Sequence, residues 1–327
     1  MGGISLAAQQ LKMRVLAGID VDPAASRTYR HNFADASALT GSVRSKLIID
    51  ECKKLIEAER NDQQKVVVVS GPPCQGFSIA GPRNPNDPRN QILIAVARFI
   101  VAIKPHCAML ENVSRVLGEN HEERIKKLTG VLQDVGYQVS EVILDAADFG
   151  VPQRRKRAFF MITKRGVDPK ILMQLFESRK KSPVNVGDAL ADLPTPAIRP
   201  DRYIDVEDSD VLSNHYAMQH SEKVKAKIAA IPQGTGPMSY RRLHPKRASN
   251  TLISGHRAPP AHYSQPRSIT VREAMRLQGF PDRFRVYGPF GTQMGQVTNA
   301  VPPPLAKAAL EVLCQIAEID EYDKIES

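Results

Sequence analysis

Residues 66–78 read VVVVSGPPCQGFS, and this stretch limits the fold more than any other. Four successive valines form a β-branched run, bounded by Ser70 and Gly71, that suits a short strand buried on both faces of a sheet. The strand must then stop. Gly71 permits a sharp turn, while Pro72 and Pro73 fix φ and withdraw two backbone donors. Cys74 is thereby held on a stiff loop just past the strand's carboxyl end, where open α/β sheets place ligands and chemistry. A thiol held still and open to deprotonation is a candidate nucleophile. An inert, buried cysteine is the other reading of a single Cys.

The surrounding chain repeats the strand and helix alternation of an α/β protein. Residues 14–22, RVLAGIDVD, form an apolar run ending in acid, which suits a strand whose tip carries a carboxylate to a ribose hydroxyl pair. Asp20 is the better aligned acid, and it also reads as a loop or helix-capping acid before Pro23. A helix is predicted over 23–32, with Pro23 in its first turn. Residues 44–64 are charged and helical in pattern, with Leu47, Ile48, Leu55 and Ile56 as the apolar face. The helix QILIAVARFIVAIK is apolar almost all round and should be buried. HCAMLENVS, residues 106–114, reads as a second buried strand, ending in Glu111, Asn112 and Val113. Residues 119–135 form an amphipathic helix stopped near Gly136, and residues 137–163 form two strands flanking a turn. Between those strands lies the basic run Gln153-Arg154-Arg155-Lys156-Arg157, in which strand alternation sends Arg155 and Arg157 to one side.

Together, GPPCQGFS, the ENV of residues 111–113 and the QRRKR of residues 153–157 resemble the cytosine-5 DNA methyltransferase family of bacterial restriction-modification systems. The resemblance follows the family's motif order over nearly the whole chain. It implies an α/β fold with a Rossmann-like S-adenosylmethionine-dependent methyltransferase sheet and a smaller target-recognition domain. It also implies a reaction at carbon 5 of a cytosine in duplex DNA, catalysed by Cys74, Glu111, Arg155 and Arg157. Cys74 is expected to add to carbon 6 and Glu111 to protonate ring nitrogen 3, while both arginines face the base. The cofactor expected is S-adenosyl-L-methionine. The positions that match its binding motifs are Gly2, Gly3, Asp20, Val21, Ser42, Val43, Pro73, Ile92 and Asn299. Gln75, Ser78 and Arg89, on the loop after Cys74, are expected to contact DNA, together with Arg241 and Arg242.

The chain departs from the family's pattern at three places. It opens MGGISLAAQQLK, a glycine pair leading straight into a helical pattern, where the family has a strand and a turn of the form Phe-x-Gly-x-Gly-Gly. Gly2 and Gly3 match only the final pair, so the first strand, roughly ten residues with its turn, is expected to be missing. Ser42 stands where the family has an aspartate for the adenine amino group. Thr298 replaces a glycine in the family's Gly-Asn-Ala-Val, and strain is expected if that backbone needs positive φ.

From about residue 167 prolines recur and the alternation stops, which suggests a division into a catalytic and cofactor-binding domain, 1–166 with 268–327, and a target-recognition domain, 167–267. Within the latter, SYRRLHPKR, residues 239–247, suits phosphate and base contact. TVREAMRLQGFP, residues 270–281, predicts a helix from Val271 stopped by Gly279. The last helix should place Leu305, Ala309, Val312 and Ile316 against the beginning of the chain.

Among 327 residues, 45 Lys and Arg against 35 Asp and Glu give a formal charge of +10, which suits a polyanionic partner. The four cysteines are scattered without metal-ligand or disulfide spacing, and with no leader or long apolar span the expectation is a soluble protein of a reducing cytoplasm, associated with the nucleoid. Double-stranded DNA, a cognate restriction endonuclease and a monomeric state complete the expected partners. Two alternatives stand beside this reading: an inactive, truncated remnant that binds DNA only, and a tRNA cytosine methyltransferase.

Overall fold

A computed structural model describes residues 1–59, 61, 64–73, 91–199, 212–237, 240–253 and 259–318. The chain begins with helix α1 (Gly3–Gln10), followed by strand β1 (Ala17–Asp20). Asp22 then accepts from the Ala24 amide at 2.9 Å with Pro23 beside it, a local signal that starts α2 (Pro23–Asn32) where the sequence predicts. Strand β2 (Ser37–Thr40), helix α3 (Lys46–Glu59) and strand β3 (Val67–Ser70) come next. After them come α4 (Ile92–Ile103), β4 (Cys107–Val113), α5 (Glu122–Gln133), β5 (Gln138–Asp145) and β6 (Lys156–Thr163).

Among the described residues these six strands form two sheet segments. β1 pairs in parallel with β2, Ala17 opposite Ser37. A second segment has the order β3-β4-β6-β5, with β3 and β4 parallel and β6 antiparallel to both β4 and β5. Helix α11 (Pro303–Ile316) packs with α1 on one face, where Ile4, Ala7, Leu305, Ala309 and Val312 share a core with Met109, Phe159 and the partly buried Val67 and Val69. The opposite face carries α4 and α5, with Leu93, Ala97, Ile100, Leu128 and Leu132 packed against Leu110, Phe160 and the partly buried Val68. The valines of β3 thus alternate between two apolar layers, as a strand of a covered parallel sheet must. Burial nevertheless falls short of the expectation: every residue of β3 is only half-buried, because a cleft opens along one of its edges. Leu47, expected on the apolar face of α3, is 80% exposed, since the helix turns Cys52 inward instead.

Beyond β6 lie α6 (Pro169–Glu177), α7 (Val186–Leu190), the short strands β7 (Ala197–Ile198) and β8 (Tyr216–Ala217), α8 (Glu222–Ala229), α9 (Val271–Leu277) and α10 (Phe290–Asn299). Leu172 and Phe176 of α6 pack into the core shared by α1 and α11, with the Phe176 ring edge to face with Phe149, so this first part of 167–267 sits on the sheet. Val186, Leu190, Leu243 and Leu252 join Leu6, Phe33, Met275 and Phe284 in another core, which the two parts of the chain build together. Thr298 lies inside α10 and its hydroxyl donates to the Met294 carbonyl at 3.0 Å. The anticipated strain at Thr298 is absent because the backbone there is helical, with no positive φ.

Candidate active site

Glu111 stands near the carboxyl end of β4, 6% exposed. Antiparallel pairing sets Val113 opposite Arg157, which places the Arg157 side chain on the Glu111 face, diagonal to it. The pair closes at 2.8 Å, Arg157 Nε donating to Glu111 Oε1. Burial pushes the Glu111 carboxyl above its ordinary range, against the opposing pull of Arg157 and Arg155. Such a group retains a proton closer to neutral pH than a solvated glutamate and still faces a hydrogen-bonding partner.

The Gly71-Pro72-Pro73 turn rests directly on this acid. A methyl at Gly71 would come within 3.3 Å of Glu111 Oε2, so glycine permits the close approach. Asn112 Nδ2 donates to the Pro72 carbonyl at 3.3 Å, tying the turn to β4. The sequence signal for this tie is the place of Asn112 next to Glu111 in the ENV triad. Cys74, Gln75, Ser78 and Arg89 lie outside the described residues, and the turn that leads to Cys74 is the last described part of that loop.

Arg155 is 2% exposed, and its Nη2 donates to the carbonyls of Thr298 at 2.7 Å and Ala300 at 3.2 Å. It therefore joins β6 to the connection between α10 and α11, behind the acid. Gln153 is a residue whose role the sequence did not disclose. Its Nε2 donates to Leu277 O at 3.1 Å and its Oε1 accepts from Leu252 N at 3.0 Å, so a wholly buried amide fastens the basic run to both neighbouring segments.

A cavity of about 2920 Å³ extends from Glu111, Arg155 and Arg157 along the strand ends. Gly2, Gly3 and Asn299 line it on the side of the chain's amino terminus. Asp20, Val21, Ser42 and Val43 line it at the tips of β1 and β2, and Pro73 and Ile92 complete the wall. The positions matched to cofactor motifs thus converge on a single cavity. Asp20 Oδ1 accepts from the Asp22 amide at 3.0 Å, which orients the carboxylate, and Val21 is 69% exposed beside it. Gly2 adopts φ 102°, and a methyl on Gly3 would strike the Val301 carbonyl, so the glycine pair lets α1 start tight against the backbone just before α11.

The two arginines expected at DNA differ. Arg241 is exposed. Arg242 turns inward, its Nε donating to Tyr263 O at 3.1 Å and its Nη1 to Ala229 O and Ile231 O at 3.0 and 3.1 Å. Three carbonyls thus hold the half-buried Arg242 guanidinium against the fold. Among the described residues no group of His, Cys, Asp and Glu is arranged to hold a metal, and no helix is long and apolar enough to cross a membrane.

An open cavity at the carboxyl ends of parallel strands, with a carboxylate at one tip and a buried acid and guanidinium at another, defines an α/β enzyme of the doubly wound kind. The chain belongs to the C-5 cytosine-specific DNA methylase family, whose model matches residues 1–315. It is 32% identical to the type II methyltransferase M1.HphI of Haemophilus parahaemolyticus, over 96% of this chain and 84% of that one. With the type II methyltransferase M.XorII of Xanthomonas oryzae the identity is 30%, over 94% and 81%. Among solved structures, a prophage-encoded DNA modification methyltransferase of E. coli superposes with a TM-score of 0.78 and 26% identity, covering 97% of both chains. The Dnmt2 methyltransferase of S. pombe shares the fold at a TM-score of 0.65 and 17% identity. The α/β methyltransferase fold read from the sequence is the one found, and the enzyme is a DNA cytosine-5-methyltransferase.

Proposed function

We propose that the chain methylates cytosine within one short duplex sequence, through a covalent Cys74 adduct on a flipped base, as the modification half of a type II restriction-modification system. The observation that carries this reading is the Glu111–Arg157 pair under the turn that leads to Cys74. A base inside a duplex is beyond reach of groups at this depth, so the target cytosine must leave the stack, at a few kcal/mol of unstacking. The Cys74 thiolate adds to carbon 6 while Glu111 delivers its proton to ring nitrogen 3, which leaves carbon 5 nucleophilic. Arg157 keeps the Glu111 carboxyl facing the cavity, and Arg155 holds the Thr298–Ala300 backbone behind it. After carbon 5 acquires the methyl group, its proton leaves to a base, the carbon 6–sulfur bond breaks to release the thiolate, and ring nitrogen 3 returns its proton to Glu111, which restores the aromatic ring and the starting carboxyl.

The donor we assign is S-adenosyl-L-methionine, which supplies an electrophilic methyl when bound. The cavity fits it chemically: the Asp20 carboxylate suits the ribose hydroxyls, and Val21, Val43 and Ile92 offer apolar wall to the adenine. Gly2, Gly3, Ser42, Pro73 and Asn299 would complete its surroundings. A cognate endonuclease, a monomeric state and a cytoplasmic, nucleoid-associated location belong to the same proposal. So does the division of labour between residues 1–166 with 268–327 and residues 167–267.

Bisulfite sequencing of a plasmid recovered from cells expressing the chain tests the reaction. Protected cytosines recurring at one short sequence are expected, with none in a Cys74→Ser control. A second reading, a DNA-binding chain without turnover, is favoured by the cleft beside β3; it predicts duplex binding with no protected site. Arg241→Ala should weaken duplex binding about equally across sequences and reduce the salt dependence by roughly one phosphate contact. An unchanged salt slope would remove Arg241 from the DNA surface.

A further inference from the structure

We propose that a hollow at the end of the sheet opposite Glu111 binds a small chain of linked phosphates. The hollow measures about 460 Å³, and Lys65, Lys104, His106, Lys164 and Arg165 line it. Glu318 is the one carboxylate among its described walls. Four lysine and arginine cations against one acid leave a local excess of positive charge, which draws and holds a multivalent oxyanion. Lys65, Lys104 and His106 stand where this hollow meets the large cavity.

The fold itself gathers these groups. Lys65 precedes β3, Lys104 and His106 precede β4, and Lys164 and Arg165 follow β6. Parallel pairing of β3 with β4, and the antiparallel return of β6, bring all five to one end of the sheet. His106 lies five residues before Glu111, which is roughly 16 Å at the rise of a strand. A ligand held here is clear of the proposed reacting groups.

The donors are arranged before any ligand arrives. His106 Nδ1 accepts from Val66 N at 2.8 Å while His106 N donates to Val66 O at 2.8 Å, a double contact that leaves the ring proton on Nε2. Lys164 Nζ lies 3.5 Å from the centroid of the Tyr137 ring, and the Thr163 hydroxyl closes the turn by donating to Arg165 O. Lys104 ends α4 with φ 56°, a left-handed conformation that glycine or asparagine fills at lower cost. A cation there answers the negative end of α4, but Lys65 and Lys164 lie on no helix and add charge that α4 does not need. Among the described residues neither Lys65 nor Lys104 forms an ion pair. Arg165 meets Glu318 at 2.7 Å, in an exposed pair that contributes little and gives way readily to a stronger anion. The buried Pro105 and the half-buried Ile316 and Ala317 wall the hollow, whose size suits a small ligand. A duplex spreads its phosphates over a wide cylinder, whereas two or three linked phosphates can enter whole.

Calorimetric titration with inorganic tripolyphosphate at low salt tests the site. One site is expected whose affinity falls about tenfold or more in a Lys65→Ala, Lys104→Gly double variant and is kept by Arg241→Ala. Glycine suits φ 56°, so the double variant folds, and its thermal midpoint should lie within about 2 °C of the parent. Lysine acetylation by an N-hydroxysuccinimide ester, read by mass spectrometry, locates the ligand. Saturating tripolyphosphate should slow labelling of Lys65 and Lys104 about fivefold or more and leave the exposed Lys170 unchanged. No heat, an unchanged affinity in the double variant, or equal protection of Lys170 overturns the proposal. So does a short duplex that protects Lys65 and Lys104 where tripolyphosphate does not, since the phosphates would then be those of a nucleic-acid backbone. Neither readout uses methylation, so the result is independent of the proposed reaction.

Discussion

A Glu111→Gln chain is expected to methylate DNA roughly 10²–10⁴-fold more slowly than the parent while folding normally. The amide keeps the shape of the side chain, and its oxygen can still accept from Arg157 Nε, so packing at this 6% exposed site is retained. In the proposed mechanism what is lost is the transferable proton, without which ring nitrogen 3 would stay unprotonated and addition of Cys74 to carbon 6 would lack its electron sink. Single-turnover methylation of a duplex carrying the identified site measures the loss. A rate within tenfold of the parent would show that Glu111 serves the fold alone. Stability supplies an independent check on its environment. The folded chain binds this proton more tightly than the unfolded chain, because burial raises the carboxyl. That stabilisation is complete below the ordinary value of 4.5 and is lost as pH rises through the raised value. Urea midpoints taken between about pH 4 and pH 8 should therefore show the parent losing stability relative to Glu111→Gln as pH increases.

The elements around this site were legible because local chemistry and long-range packing agree there. Asp22 and Pro23 mark the start of α2, Gly136 the turn after α5, and Gly279 the stop of α9. Arg155 and Arg157 fall on one side because strand periodicity requires it, and both do line the cavity. The rest depended on information outside any short window. Arg242 reads as a surface cation, yet three carbonyls from separate turns gather round it. Thr298 reads as a strained substitution only if the turn of its relatives is assumed, whereas α10 continues through it. Leu47 reads as core from helical spacing, but the side of α3 that packs is set by Cys52. Asn112 and Gln153 act on the chain through single amide contacts to remote backbone, which leave no periodic signature.

Glu273→Gln is expected to lower the unfolding free energy by about 3–5 kcal/mol, the usual loss when one member of a buried ion pair is neutralised. Glu273 is 2% exposed and takes both ends of the Arg267 guanidinium, at 2.8 and 2.6 Å. The same carboxylate accepts from Thr270 N at 2.7 Å, and the Thr270 hydroxyl returns a contact to Glu273 N, closing the cap of α9. Burial alone would raise this acid, but the Arg267 hydrogen bonds and charge outweigh it and hold the carboxyl below its ordinary value. Its stabilisation is accordingly present above the ordinary 4.5 and lost as pH falls through the lowered value. In the variant Arg267, 9% exposed, keeps its charge without a counter-charge, and this leaves the loss larger than one hydrogen bond accounts for. An Arg267→Met, Glu273→Leu double variant removes both charges and should regain much of the loss, since no buried ion remains unpaired. Urea unfolding of the parent, the single variant and the double variant measures these differences, and a single variant within about 1 kcal/mol of the parent would refute the account. The loss of this pair is also expected to weaken duplex binding under the proposed role of Arg241, which a titration of labelled duplex against the Glu273→Gln variant measures. Ser268 pairs with Ala261, and Ala261 N donates to Arg241 O at 3.0 Å, so a loosened Arg267 region loosens the backbone that presents Arg241.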